Sequence, residues 1–368
     1  MMGAKVRCAL ETLEAKTCRQ AEEIRLRPGQ LLLVEGGGGQ VWLPPEVTAL
    51  DLEESLNILS QYSYYAFAEQ LARGYITVAG GHRVGVAGRV TVKNGKIVAM
   101  AEPGSINFRI ARQLPGVGKP VLPWLISKGR ALNTLILAPP NCGKTTLLRD
   151  LIRLFSDEMN LTVGVVDERS ELAGCYRGRP QLDVGRRTDV LDSCPREQGL
   201  AMLVRSMGPQ IVAADEIGRE RDAEALENVL AAGVTVLTTA HARDLEEAWQ
   251  RPVLSRLLAG GCFQRVVILR RRGGLPCLAG VVELPGGNWI FGGDENAAGT
   301  SGGIDNFVRG RAGLWHRRRF PAPPRPDSAA AVCPDSAGRG NSVSADPPSG
   351  SSQGGSSGNL GAGGAALF

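Results

Sequence analysis

Aromatic residues are scarce in this chain of 368 residues, at 5%, and histidines number only three. A surface that stacks bases on aromatic side chains is hard to build from so few, which counts against single-stranded nucleic acid as a partner. The cysteines, at positions 8, 18, 142, 175, 194, 262, 277 and 333, include no C-x-x-C pair, so no zinc-ligand spacing emerges. No apolar run approaches the roughly 18 residues of a membrane helix, and the N-terminal residues lack the basic-then-apolar pattern of a secretory signal. The expected setting is the reduced cytosol. A dominant charge sign is also missing: 42 Lys+Arg against 37 Asp+Glu leave +5, which permits an anionic partner without demanding one.

What is present is ordinary globular matter, 43% hydrophobic and 21% charged. The length suits two domains and a tail. Residues 1–114 read as a small α+β domain. Within it Leu52, Leu56 and Leu59 recur at helical spacing, and the pattern runs on through Tyr65, Ala68 and Leu71 until Gly74, predicting one amphipathic helix. Val90–Lys93 and Lys96–Ala99 flank Asn94-Gly95, a hairpin signature that sets Val92 opposite Ile97 and Val90 opposite Ala99 on one buried face. Residues 115–120, with two glycines between prolines, read as a hinge. Residues 121–285 form the second domain. From 286 to 368 Gly, Pro, Ser, Ala and Arg dominate without period, predicting a low-complexity, disordered tail. Its arginines around Trp315 read either as a solvated linker or as a contact for an acidic surface.

In the second domain short β-rich runs alternate with helical stretches: Leu135–Leu137, Thr162–Val166, Ile211–Ala214, Val234–Leu237 and Val266–Leu269. Such alternation predicts an α/β fold, a mostly parallel sheet covered on both faces, whose ligands lie beyond the carboxyl ends of the strands. The polar signals fall there.

After the first of these strands comes Ala138-Pro139-Pro140-Asn141-Cys142-Gly143-Lys144-Thr145-Thr146, opening a helix through Leu147, Leu148, Leu151 and Phe155. This is a P-loop, or Walker A motif: the segment Pro139–Thr146 wraps phosphate oxygens with the backbone N–H groups that follow Pro139 and Pro140, Lys144 brings a mobile cation, and Thr145 places a hydroxyl on Mg2+. Alanine stands at position 138 where the pattern has its first glycine. Cys142 reads as a small structural thiol, with oxidation sensitivity the alternative.

Ile211–Ala214 ends in Asp215-Glu216, which suits a second Mg2+ ligand followed by a base that orients water toward the γ-phosphate of ATP. Thr162–Val166 ends in Asp167-Glu168-Arg169, and Val234–Leu237 leads to Thr238-Thr239-Ala240-His241, where His241 can sense the γ-phosphate. Glu168 and His241 could equally sit in surface loops. Arginines are dense between the strand ends, at 169, 177, 179, 186, 187, 196 and 205, and most of them read as solvated charge.

Together with Glu23-Ile24-Arg25-Leu26-Arg27, Gly80-Gly81-His82-Arg83-Val84-Gly85, Asn107-Phe108-Arg109-Ile110-Ala111-Arg112 and Asp183-Val184-Gly185-Arg186-Arg187-Thr188-Asp189-Val190, these motifs resemble the stage III sporulation protein AA family from about Glu22 to Glu283. More broadly the second domain is similar to the type II and type IV secretion and pilus ATPases. That resemblance implies a RecA-like ATPase domain, a hexameric ring, and a cytosolic motor that is peripheral at the inner face of a membrane complex. Its implied partners are the membrane proteins of a channel between mother cell and forespore. It places Glu168 in an acidic box, Glu216 after the metal strand, His241 in a histidine box, Arg205 in the helix before that strand, and Arg109 and Arg112 near the domain junction. Two other readings stand beside it: a nucleotide-gated nucleic-acid-binding protein, and a scaffold that holds ATP without turnover.

Overall fold

A computed structural model describes residues 2–63, 67–72, 74–272 and 275–292, all within one compact unit. The first part opens with helices α1 (Ala4–Glu11) and α2 (Ala15–Gln20), followed by strands β1 (Ala21–Leu26), β2 (Leu31–Gly36) and β3 (Gly39–Glu46). Helices α3 (Ala49–Leu59) and α4 (Ala68–Ala72) precede β4 (Tyr75–Val78), β5 (His82–Lys93) and β6 (Lys96–Arg109). The strands form an antiparallel sheet in the order β3-β2-β1-β6-β5-β4. Val6 and Leu10 of α1 and Leu52, Leu56 and Leu59 of α3 meet Ile24, Leu32, Val84 and Phe108 in a single core. The α3 N-terminus is fixed by a reciprocal cap. Thr48 Oγ1 accepts the Asp51 N–H at 3.2 Å, and the Asp51 carboxylate accepts the Thr48 N–H at 2.7 Å.

Two expectations for this part need correction. The single helix is split, because Gln61 and Tyr62 adopt φ of 51° and 59° directly after α3, a left-handed pair that no helix accommodates. Tyr65 lies outside the described residues. The hairpin turns at Asn94-Gly95 and pairs Val92 with Ile97, but a register shift between Thr91 and Val92 pairs Val90 with Met100 and Ala99 with Thr91. Nor is the face buried: Val90, Val92 and Ile97 are 36%, 56% and 48% exposed. The reason is topological. β4 pairs with β5 only over His82–Gly85 and β1 with β6 only over Ile106–Arg109, so the distal ribbon has no flanking strand among the described residues.

After a short ribbon of β7 (Ile126–Ser127) and β8 (Arg130–Ala131), the second part alternates strand and helix. Its elements are β9 (Thr134–Leu137), α5 (Lys144–Asp157), β10 (Val163–Asp167), β11 (Thr188–Asp192), α6 (Arg196–Ser206), β12 (Ile211–Ala214), α7 (Glu220–Ala231), β13 (Thr235–Ala240), α8 (Leu245–Gln250), α9 (Pro252–Ala259), β14 (Arg265–Arg272), β15 (Leu275–Glu283) and β16 (Asn288–Gly292). The sheet runs β11-β10-β12-β13-β9-β14-β15-β16. It is parallel through β14 and antiparallel at the β15 and β16 edge. Alternate residues of each strand point to opposite faces. Ile136, Val165, Ala213 and Leu237 pack with α5, while Leu135, Leu137, Val212, Ala214 and Val236 pack with α6, α7 and α9. This is the expected α/β architecture, a RecA-like fold.

β16 corrects the expected end of the fold. Residues 288–292 belong to the sheet, with the Phe291 and Trp124 rings 5.6 Å apart. The tail expectation for residues 293–368, including Arg309, Arg311 and the arginines around Trp315, lies outside the described residues. Within the expected hinge, Gly118 donates its N–H to Asp150 of α5 at 2.7 Å. A Cβ there would stand 2.9 Å from Leu154, so the segment is packed on α5 from this residue onward.

Candidate functional site

Four parallel strands end side by side on one edge of the second sheet. Leu137 is in register with Ala240, Thr238 with Ala214, and Ala214 with Val166, so the next residues along each chain gather in one crevice. β9 enters the P-loop, which turns through left-handed conformations at Asn141 (φ 57°) and Gly143 (φ 80°), the latter capping α5. Ala138 is not among the positive-φ residues, so the position that has glycine in the common pattern asks nothing of a glycine here. The loop lies at the N-terminus of a 14-residue helix, where unpaired N–H groups and the helix dipole favour an anion. Cys142 is buried among Leu147, Leu148 and Leu172, as its structural reading requires.

Lys144 is bent back on its own loop. Its ammonium donates to the carbonyls of Ala138 (3.1 Å) and Pro139 (3.0 Å) and lies 3.1 Å from His241 Nδ1. An ammonium has only donors, so Nδ1 accepts and the ring proton sits on Nε2, which donates to Glu216 Oε1 at 3.1 Å. Burial pushes the Lys144 ammonium below the usual lysine range, and Asp215 and Glu216 work against that shift.

Asp215 collects two hydroxyls. Thr145 donates to its Oδ2 at 2.6 Å and Thr239 donates to its Oδ1. The Thr239 oxygen in turn accepts the Glu216 N–H at 2.9 Å. Glu216 has a left-handed φ of 57°, a conformation that persists in a non-glycine residue only where surrounding contacts enforce it. They do: Thr239 takes its N–H, and Arg196 donates to its carbonyl at 2.7 Å. Its second carboxylate oxygen is taken by Arg169 at 2.7 Å. The crevice floor between these groups is lined by Asp167, Glu168, Arg169, Glu171, Arg196, Asp215 and Glu216.

The acidic segment after β10 divides its labour. Asp167 is 2% exposed and accepts the N–H groups of Glu171, Leu172 and Ala173 at 2.8, 3.0 and 2.8 Å, closing the loop on itself. Burial pushes its carboxyl up, the three N–H bonds oppose that, and the neighbouring Asp192 charge adds to it. Glu168 instead reaches Arg196, whose guanidinium also holds Asp222 at 2.9 Å. Arg149 of α5 donates to the carbonyls of Leu172 and Glu171, both at 2.5 Å, and fixes the same loop from below.

The structure thus brings Lys144, Thr145, Glu168, Asp215, Glu216 and His241 into one network. Pro139, Pro140, Asn141, Cys142, Gly143 and Thr146 complete the P-loop and its first helical turn. Arg205 stands apart: it bonds the Ala201 carbonyl of its own helix at 3.2 Å and lines a groove of about 590 Å³ between α6 and α7. Nine residues separate it from Arg196, about 14 Å along the helix. Arg109 pairs with Glu23 at 3.4 Å, and Arg112 donates to the carbonyls of Arg19 and Ala21, so both are tied to the start of the first sheet. Four members of the network carry no signal in the sequence: Thr239 lies inside a motif without a role of its own, Arg169 and Arg196 are two of seven arginines with nothing to single them out, and Asp222 belongs to no motif.

The fold is shared with ATPases of known structure. It is similar to the ATPase DotB of Legionella pneumophila (TM-score 0.53, 15% identity, 77% of this chain and 81% of that one). It is also similar to the pilus retraction motor PilT, solved with bound ADP (TM-score 0.52, 13% identity, 79% and 83%). The family model "Sporulation stage III, protein AA" matches residues 1–287. Stage III sporulation protein AA of Bacillus subtilis is 43% identical over 282 residues, covering 76% of this chain and 92% of that protein. This chain belongs to the stage III sporulation protein AA family. A shorter match, 29% identical over 159 residues, joins 42% of the chain to 46% of the ycf45 protein of Cyanidium caldarium. No helix among the described residues is long and apolar enough to cross a membrane.

Proposed function

We propose that the protein is a magnesium-dependent ATPase that couples hydrolysis of ATP to work at a membrane channel between mother cell and forespore. The carrying observation is the convergence of Lys144, Thr145, Asp215 and Glu216, from separate strand ends, within hydrogen-bond reach of one another or of a shared histidine. The bound ADP of PilT, on a similar fold, supports a nucleotide at the P-loop.

The loop N–H groups and Lys144 hold the phosphates. Thr145 Oγ1 and Asp215 Oδ2, already 2.6 Å apart, are two hard oxygen donors on one side of the crevice. They fit Mg2+, which characteristically takes one or two protein oxygens and completes its shell with phosphates and water. When bound, the ion neutralises charge on the β- and γ-phosphate oxygens. Glu216 accepts the proton of the attacking water as it adds to the γ-phosphorus, and ADP leaves with the bridging oxygen. His241 stands between Lys144 and Glu216, so its two nitrogens report on the cation and the base together.

The first domain moves against the second about the segment before Gly118 as nucleotide binds and leaves, and six copies assemble as a ring, as the family resemblance implies. Arg205, exposed on the α6–α7 groove and away from its own crevice, acts on this reading toward a neighbouring copy. The setting is cytosolic, peripheral to membrane proteins of the channel. Phosphate release by purified protein tests the reading. Lys144→Ala is expected to lose tight ATP binding, and Glu216→Gln to bind ATP without hydrolysing it. Normal phosphate release by the Glu216→Gln protein rejects the base.

A further inference from the structure

The catalytic carboxylate of Glu216 is occupied at both oxygens by groups of its own chain. His241 Nε2 donates to Oε1 and Arg169 lies 2.7 Å from Oε2. The two contacts differ in kind. The imidazole donor is neutral and belongs to the same relay as Lys144, so a phosphate that draws Lys144 away loosens its bond. The guanidinium bond joins two opposite charges and is therefore the stronger. Nothing about phosphate binding releases it directly, because Arg169 reaches Glu216 from the loop after β10.

That loop is anchored outside the crevice. Two residues beyond Arg169, Glu171 pairs with Arg83 of the first sheet, and the Arg83 guanidinium lies 3.6 Å over the Tyr75 ring. Gly80 of the same hairpin donates its N–H to Gln181 at 3.0 Å, Gln61 donates to the Tyr176 hydroxyl at 2.6 Å, and Asp183 and Gln113 exchange two bonds. Behind the loop, Arg149 and Asp167 bind only its backbone. Arg169 itself, 56% exposed at its side chain, makes its ion pair with Glu216.

We propose that Arg169 is a positioning residue that holds the Glu216 carboxylate away from water, and that the Arg83–Glu171 pair, by fixing the loop to the first sheet, sets how firmly it does so. This rests on the ATPase reading above and adds to it a restraint within one chain. Turnover then scales with the fraction of molecules whose Glu216 is free of Arg169. Displacing the first sheet relieves the restraint through one loop, with no residue of that sheet entering the crevice.

The full chain tests this. Arg169→Ala is expected to raise turnover at saturating Mg-ATP about two- to fivefold with KM little changed, the size of a partly exposed ion pair. Arg169→Lys, which keeps the charge but not the fork, falls between that variant and the parent. Arg83→Ala, which touches neither nucleotide nor base, gives a smaller rise. A merely structural arginine would give losses, so unchanged or lower turnover in Arg169→Ala overturns the restraint. An unchanged rate in Arg83→Ala overturns the part assigned to the first sheet. If the parent releases no more phosphate than Lys144→Ala, the ATPase reading itself has failed. The pairing is then still decided by thermal unfolding of the nucleotide-free protein. The melting shifts of Arg169→Ala and Glu216→Gln must fail to add there, and additive shifts overturn the proposal.

Discussion

Asp167 and Asp215 occupy equivalent places, each one step beyond the last register pair of β10 with β12, and the chain uses them in opposite ways. Asp167 is spent on three backbone N–H groups, which cannot rotate away or be replaced without unmaking the loop. Asp215 is held by the hydroxyls of Thr145 and Thr239, which turn about a single bond; the Thr145 oxygen keeps lone pairs for a ligand, while the Thr239 oxygen also accepts the Glu216 N–H. The partner, not the acid, decides whether a strand-end carboxylate is architecture or equipment. The same contrast separates the two acids that follow. Glu168 is clamped by the buried Arg196, whereas Glu216 is held at its carboxylate by an exposed arginine and a histidine.

The sharpest test of that contrast is at the base. Glu216→Gln is expected to reduce phosphate release by about 10²–10⁴-fold with nucleotide affinity retained, the usual range for a lost general base. Asp215→Ala should cost about 10²-fold in turnover and less in thermal stability than Asp167→Ala, because it frees two hydroxyls, one of them on the half-buried Thr145, rather than three backbone N–H groups. Asp167→Ala should do the reverse. It leaves three buried N–H groups without acceptors, an expected loss of about 2–4 kcal/mol in a urea titration, with turnover per folded molecule altered far less. Equal loss of turnover at unchanged stability from both aspartate variants would break the comparison. The smallest expected effect extends it to His82, whose buried Nδ1 accepts the Ala111 N–H at 3.1 Å. Burial lowers the His82 pKa from its ordinary value, so the unfolded chain binds the proton more readily. The contribution is complete above the unfolded value of about 6.5 and declines as pH falls below it. Urea midpoints at pH 7.5 and 5.5 should therefore differ less in His82→Gln than in the parent.

Much of the site could be read in advance because it is written in contiguous residues. A strand, a loop ending Gly143-Lys144-Thr145 and a helix fix the phosphate cradle locally, and Asp215, Glu216 and His241 follow apolar strands whose ends a parallel sheet must align. Arg196 could not be read that way. Its three acceptors, on Glu168, Glu216 and Asp222, come from three segments that only the folded sheet brings together. β11, Thr188–Asp192, escaped notice because its residues are half-exposed at a sheet edge and carry no apolar run. The hairpin error at Val90 arose differently: alternation does define two faces, but it cannot say whether anything covers either of them.

The curled-back side chain of Lys144 has a consequence for selectivity. All three of its protons already have acceptors within the chain. An incoming anion gains only by evicting them. A polyphosphate, gripped at the same moment by the helix end and the loop amides, is therefore expected to win that exchange more readily than a lone orthophosphate. The cation is thus kept engaged by its own loop and histidine until a ligand offers more than one point of attachment.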